Sequence, residues 1–343
     1  MTPRRKTTLS DVAKRAGVSL GAASKVLNGG CGKIGVGADT RKRILEAAEN
    51  LNYKANMAAS ILAGGHSRLI GVFIDSFTPH RGLRLLQEIE RCSVRQGYRI
   101  ITCFSHDDIA GMKSDYQTLR RYGITDFICC SHDYPRMKDE IRELFSDVEN
   151  VVFMEKPCLD DRLYVRTSRR KALTDMIAAA YADGHRRFGL LHTFHTAQTE
   201  RILREEFRQA LRSNGLEPDE KLFFEYPLKP ADTVSRVCLA VEHMIRPNKP
   251  DFLYVDDAKS AVALRTQLEG SGLKLRMHGG DGDPLFDSMN IASLDPRYED
   301  IAEALLKLLL HPETRDTVPV IEAVCKKERR DDPPSLKLRR TRR

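Results

Sequence analysis

Two short amphipathic helices joined by Ala16-Gly17-Val18-Ser19 constrain this chain more than any other feature. Thr8 and Asp11 are spaced as a reciprocal capping pair, and the acid suits the positive end of a helix dipole. Leu9, Val12, Ala13 and Ala16 then share one helical face. Gly17 ends this helix, Val18 turns back to the core, and Ser19 caps a second helix over 20–27. The apolar face of that helix is Ala23, Val26 and Leu27, which leaves Leu20, Gly21, Ser24, Lys25 and Asn28 outward. A third helix over 39–51 carries Ile44, Ala47, Ala48 and Leu51 underneath. Two short helices around a glycine turn make a helix-turn-helix, the unit that lays its second helix in the DNA major groove.

The charge distribution points the same way. Residues 1–60 carry eleven Lys or Arg against four Asp or Glu, a net +7 of the chain's +8. Residues 331–343 carry five basic against two acidic side chains, so the 270 residues between are slightly acidic at −2. A compact basic module on an acidic body is the footprint of phosphate-backbone binding. The basic tail itself reads either as a charged solvated end or as a second DNA contact.

Several fixed spacings then carry a resemblance. TLSDVAKRAGVSLGAASKVLNG, VGADTRKRILEAAENLNYKAN and AASILAGGHSRLIGV together resemble the lactose-repressor (LacI/GalR) family of bacterial transcription regulators over residues 7–72. The resemblance implies base reading by Leu20, Gly21 and Lys25, with Thr8, Ser19, Ser24 and Asn28 holding phosphates or capping helices. It adds Tyr53, Asn56 and Ala59 to the DNA-facing set, and matches 56–63 to a hinge helix whose Leu62 wedges into the minor groove of a palindromic site. Asn56 suits a cap and Gly64-Gly65 a stop, but a helix this short forms only when paired with its dimer mate on DNA. A plain linker is the alternative. This sequence departs from the family at Lys25 (commonly Arg), Ala22-Ala23, Ala55 and the longer glycine-rich loop at 29–35. Lysine lacks the two-pronged grip of arginine on guanine, and Gly21 presents no side chain, so direct base readout is expected to be thin.

From residue 69 short apolar runs alternate with amphipathic helices. Strands are predicted over 69–74, 99–104, 126–130 and 151–155, then over 187–192, 222–226, 251–255 and 275–279. Helices are predicted over 84–97, 112–122, 136–145, 169–184, 200–215, 235–245 and 259–272. Such alternation makes parallel sheets covered on both faces, with ligands held at the carboxyl ends of the strands. The family resemblance continues in ADGHRRFGLLHT, TERILREEFRQAL, FLYVDDAKSAVAL and GGDGDPLFDSMNIASLD. The predicted fold is therefore an all-α helix-turn-helix DNA-binding domain plus an α/β periplasmic-binding-protein-like core of two doubly wound parallel-sheet lobes. The expected boundaries are 1–55 for the DNA-binding domain, 56–67 for the hinge and linker, 68–330 for the core and 331–343 for the tail. Within the core, the first lobe takes 68–166 and 294–315, and the second takes 167–293 and 316–330.

The resemblance places an effector cleft at Ser76, Phe77, Thr167, Arg201, Arg204, Asp256 and Asp281. Here the sequence departs furthest: Thr167-Ser168 stands for Asp-Asn, Asp256-Asp257 for Asn-Asp, and Leu203 for a ligand-gripping Arg. Sugar sites need several planar polar groups, so the ligand is expected not to be an ordinary hexose, or no small molecule is required. Asp256, Asp257, Asp281 and Asp283 read either as a carboxylate cluster for a cation or as helix caps and solvated loop positions.

No phosphate-binding glycine loop or nucleophile elbow appears, so no enzyme activity is expected. No cofactor or metal is expected either: the eight cysteines are scattered, and His192-x-x-His195 lacks a third ligand. With no signal-peptide or transmembrane pattern, the chain is expected in the cytoplasm, at the nucleoid and off the membrane. The expected partners are an operator duplex, a second copy of the chain and an effector not clearly a sugar. The apolar helix at 301–310 reads as dimer face or core. A small-molecule binder with a vestigial DNA-binding module is the alternative reading.

Overall fold

The computed structural model describes residues 7–28, 35–54, 67–75, 80–105, 108–132, 134, 137–194, 197–227, 233–311 and 318–326. The hinge at 56–63 with Asn56, Ala59 and Leu62, the effector candidates Ser76 and Phe77, His195 and the basic tail lie outside them.

Three helices form the amino-terminal unit: α1 (Leu9–Ala16), α2 (Leu20–Asn28) and α3 (Ala38–Asn50). The expected capping box is present, with the Asp11 amide donating to Thr8 Oγ1 (3.3 Å) and the Thr8 amide to Asp11 Oδ2 (2.9 Å). Gly17 turns the chain in the left-handed region at φ 64°, a conformation that needs no Cβ. Val12, Ala13, Ala16, Ala23, Ile44, Ala47 and Ala48 close a small core with Val26, Leu27, Leu51 and Tyr53 packed against it.

The remainder starts with β1 (Leu69–Asp75), α4 (His80–Arg95), β2 (Arg99–Ser105), α5 (Ile109–Arg121), β3 (Asp126–Cys129), α6 (Lys138–Ser146), β4 (Asn150–Met154) and β5 (Leu163–Ser168). It continues through α7 (Arg170–Ala182), β6 (Phe188–Phe194), α8 (Ala197–Ser213), β7 (Phe223–Pro227), α9 (Thr233–Ala240), β8 (Phe252–Val255), α10 (Ala258–Leu268) and β9 (Arg276–Gly279). It closes with α11 (Pro284–Ser288), β10 (Leu294–Asp295), α12 (Tyr298–Leu310), β11 (Val320–Glu322) and β12 (Val324–Cys325). The first sheet has the order β11-β5-β4-β3-β1-β2 and the second β7-β6-β8-β9, and every pairing within both is parallel.

Alternate residues of each strand serve opposite helical layers, as a period of two requires. Ile70 and Val72 join α4 and α12 on one face, while Phe73 and Phe127 join α5 and α6 on the other. In the second sheet Leu190, Phe252 and Tyr254 meet α7 and α8, and Leu191, Leu253 and Val255 meet α9 and α10. Each large apolar side chain so buried contributes roughly 1.5–3 kcal/mol. Chain order reverses beside β1 and beside β6, so their carboxyl ends open the crevices where such sheets hold ligands.

Three expectations change. The strand β5 was not predicted. Val320–Glu322, assigned by sequence to the second lobe, pairs with β5 at the edge of the first sheet. Leu294, assigned to the first lobe, is buried in the α7–α8 core of the second, because β10 pairs with β12 there. The α12 side chains Ile301, Leu305, Leu306, Leu308 and Leu309 are buried within the single chain, so this helix is core. Its outer edge is tied to α4 by Arg91–Glu299 and Arg95–Glu303 at 2.7 Å each, exposed pairs that water and salt screen. Among the described residues no helix is long and apolar enough to cross a membrane.

Candidate nucleic-acid interface and strand-end cleft

The outward face of α2 is set by what its inward face buries. Ala23 is fully buried, so the helix presents Leu20, 55 % exposed, and Gly21 to solvent, with Ser24 and Lys25 half-buried one turn on. Asn28 is the last residue of this helix. Ser19 Oγ accepts from the Ala22 amide at 3.2 Å, so Ser19 and Thr8 both act as caps that fix the two helices. Tyr53 is half-buried against the three-helix core, its amide donating to the Ala48 carbonyl at 2.8 Å. Exposed Arg41, Lys42 and Arg43 start α3 and add positive charge to this small unit. They were not singled out as contacts from the sequence, although the basic run was visible in it.

The polar groups at the strand ends are largely turned toward one another. In the first lobe the Tyr134 hydroxyl donates to Asp75 Oδ2 (3.2 Å) and lies 2.5 Å from Ser131 Oγ, which lies 2.5 Å from Ser105 Oγ. Asp75 and Ser105 close β1 and β2, Ser131 lies two residues beyond the end of β3, and all three are buried. Sequence reading missed this network, although the polar residue just after each apolar run was a usable signal.

In the second lobe His192 stands beside Glu225 in the β6–β7 register, and Asp256 follows the Leu191–Val255 pair of β6–β8. His192 Nδ1 is 3.0 Å from Asp256 Oδ2, both side chains being buried. Glu225, only 3 % exposed, is ion-paired to Arg204 from α8. A Cβ at Gly280 would come within 2.5 Å of the Tyr254 hydroxyl and 2.7 Å of Asp256 Oδ1, so glycine is required for the β9 end to close over this row.

Of the other predicted effector residues, Thr167 and Asp281 are also engaged. The Thr167 amide and hydroxyl both donate to Glu155 Oε1, at 2.9 and 2.5 Å. Burial still raises the Glu155 carboxyl above its ordinary value, against those donors and the nearby Arg169 and Arg166. Leu203 is buried in the second-lobe core, and Glu206 accepts from the Arg169 amide at the start of α7. Arg201 is exposed on α8. Asp281 is buried, its carboxylate accepting from the Asp283 amide and its carbonyl from the Tyr298 hydroxyl at 3.3 Å. Of the four carboxylates, Asp257 and Asp283 are helix caps, at 2.9 Å to the Ser260 and Leu285 amides. Among the described residues no group of three or more His, Cys, Asp or Glu is disposed to hold a metal ion. Burial pushes the thiols of Cys103 and Cys130 up to about 11 and about 12, so neither is a thiolate at neutral pH.

Comparison with known proteins divides along the same line. Residues 8–56 match the family of bacterial regulatory proteins, lacI family. The fructose operon regulatory protein of Vibrio cholerae is 36 % identical over 101 residues, 29 % of this chain and 31 % of that protein. The transcriptional regulator RegA of Clostridium saccharobutylicum is 31 % identical over 144 residues, 42 % of this chain and 41 % of that one. The repressor PurR of Mannheimia succiniciproducens is 26 % identical over 235 residues, 66 % of each. The chain thus spans from about one third to just under two thirds of the length of these relatives. A crystal structure of the lac repressor dimer bound to operator and the anti-inducer ONPF superposes with a TM-score of 0.72 at 19 % identity, covering 94 % of this chain and 98 % of that one. A lacI-family regulator from Silicibacter pomeroyi gives 0.65 at 22 % identity, covering 93 % and 98 %. These likenesses establish a shared fold: a helix-turn-helix domain and a two-lobed parallel-sheet core.

Proposed function

We propose that this chain, which belongs to the lacI family of bacterial regulatory proteins through its domain at residues 8–56, regulates transcription by binding a specific duplex DNA site. The reading is carried by one observation. The capped α1–turn–α2 unit fixes the outward face of α2 on a module of net charge +7. Leu20, Gly21 and Lys25 occupy the base-facing positions, and Thr8, Ser19, Ser24, Asn28 and Tyr53 position the unit on the duplex. Asn56, Ala59 and Leu62 supply the hinge and its wedge.

The active species is a homodimer on a palindromic operator, acting as a repressor, and it works in the cytoplasm at the nucleoid with no enzymatic step. Residues 1–55 bind DNA, 56–67 link, and 68–330 form the two lobes, with 331–343 as a tail. A small molecule in the cleft adjusts operator affinity through lobe closure. Because Thr167, Arg204 and Asp256 already hold Glu155, Glu225 and His192, that molecule is not an ordinary hexose. Tight binding of a common sugar in a calorimeter would refute this last point.

Selection of bound sequences from a random duplex library tests the main reading: a palindrome should be enriched, and its absence overturns it. Affinity for the selected site should fall by at least about a thousandfold between 50 and 200 mM salt if six or more phosphates are neutralised.

A further inference from the structure

The fold gives Gly21 no reason to be glycine. Its backbone lies outside the left-handed region, and a Cβ built there would find nothing within 4 Å among the described residues. Most of the other described glycines have a cause: Gly17 turns at φ 64°, and a Cβ at Gly71, Gly189, Gly279 or Gly280 would approach within 3.0 Å of a neighbour; Gly35 and Gly37 are as open as Gly21 but precede α3, where no helical stability is lost. A helical glycine on an open surface is less stable than alanine there. Its neighbour is the converse anomaly, since Leu20 is 55 % exposed while Ala23, Val26 and Leu27 of the same helix serve the core. A bare stretch of backbone thus sits next to an exposed apolar side chain, on the outward face that also carries Ser24 and Lys25.

We propose that this pair is a close-approach surface for one thymine-containing step of each DNA half-site, an inference resting on α2 being the recognition helix. An α-helix with its side chains is about as wide as the major groove, roughly 12 Å. Removing the side chain at Gly21 lets the backbone of α2 sink toward the base edges at that point. Leu20 is then brought onto the C5-methyl of a thymine, the apolar group of the major-groove edge. The base pair facing Gly21 meets no side chain, so its hydrogen-bond pattern goes unread, and selection there is by shape and by the neighbouring methyl.

The test uses the full chain and the operator obtained by library selection. Gly21→Ala adds a methyl group to an open helical position, so its melting temperature should equal or exceed that of the parent. Its affinity for the selected site should nonetheless fall at least tenfold. Replacing thymines one at a time by deoxyuridine removes only the methyl. One position per half-site should weaken the parent about fourfold, the equivalent of roughly 0.8 kcal/mol, and should leave Leu20→Ala unaffected. Parent-like binding by Gly21→Ala, or indifference of the parent to every uracil substitution, overturns the proposal. Failure of the parent to enrich any site is a different result: it refutes the DNA-binding reading beneath it, and the proposal with it.

Discussion

Replacing His278 with asparagine should remove an acid-sensitive contribution to the stability of the second lobe. The imidazole lies on β9, 8 % exposed, packed near Phe252, with Nδ1 3.0 Å from the Gly279 carbonyl. Burial, opposed by the Gly279 carbonyl and reinforced by Arg276, lowers its pKa from 6.5 to about 4. Between those values the unfolded chain binds a proton that the folded chain does not, so stability rises with pH and is lost as pH falls from 6.5 toward 4. At 1.36 kcal/mol per unit the full loss is about 3 kcal/mol, and about 2 kcal/mol is already gone at pH 5. Urea unfolding of the full chain, followed by circular dichroism at pH 7.5 and pH 5.0, measures this as the difference between parent and His278→Asn. The variant loses packing at both pH values, but its decline between them should be smaller by about 2 kcal/mol. Equal declines would refute the claim that the folded protein holds this ring neutral.

Other perturbations follow from the same contacts. Thr8→Ala removes the side-chain cap of α1 and should cost about 1 kcal/mol, read as a lower melting temperature of the amino-terminal unit. Leu305→Ala, at a fully buried α12 position, should cost roughly 2–5 kcal/mol in denaturant unfolding at any protein concentration; a loss seen only on dilution would mark a dimer face instead. Arg204→Ala strands the Glu225 carboxylate and should cost about 2–3 kcal/mol, less than for a fully buried pair because Arg204 is 34 % exposed. Adding Glu225→Leu should restore much of that loss in the same unfolding assay.

What the sequence determined by itself is local. The cap at Thr8–Asp11, the left-handed turn at Gly17, the cap at Ser19 and the alternation of strands and helices all depend on residues a few positions apart. Hydrogen-bonding capacity, backbone conformation and periodicity are properties of such short stretches, so they can be read without the fold. The helix-turn-helix and the two-lobed architecture were legible for that reason. The cleft was not. His192 and Asp256 are 64 positions apart, Asp75 and Tyr134 are 59, and each pair meets only because parallel register brings strand ends into one row. The return of β11 to β5 is equally non-local, as is the fate of Thr167, which sequence offered to a ligand and the fold gives to Glu155. Whether a polar side chain faces a ligand or a neighbour is decided by register and burial, because a carboxylate taken from water must find its partner within the protein. Gly21 joins the two levels: its lack of a side chain is plain in the sequence, but only the structure reveals that no neighbour among the described residues requires it.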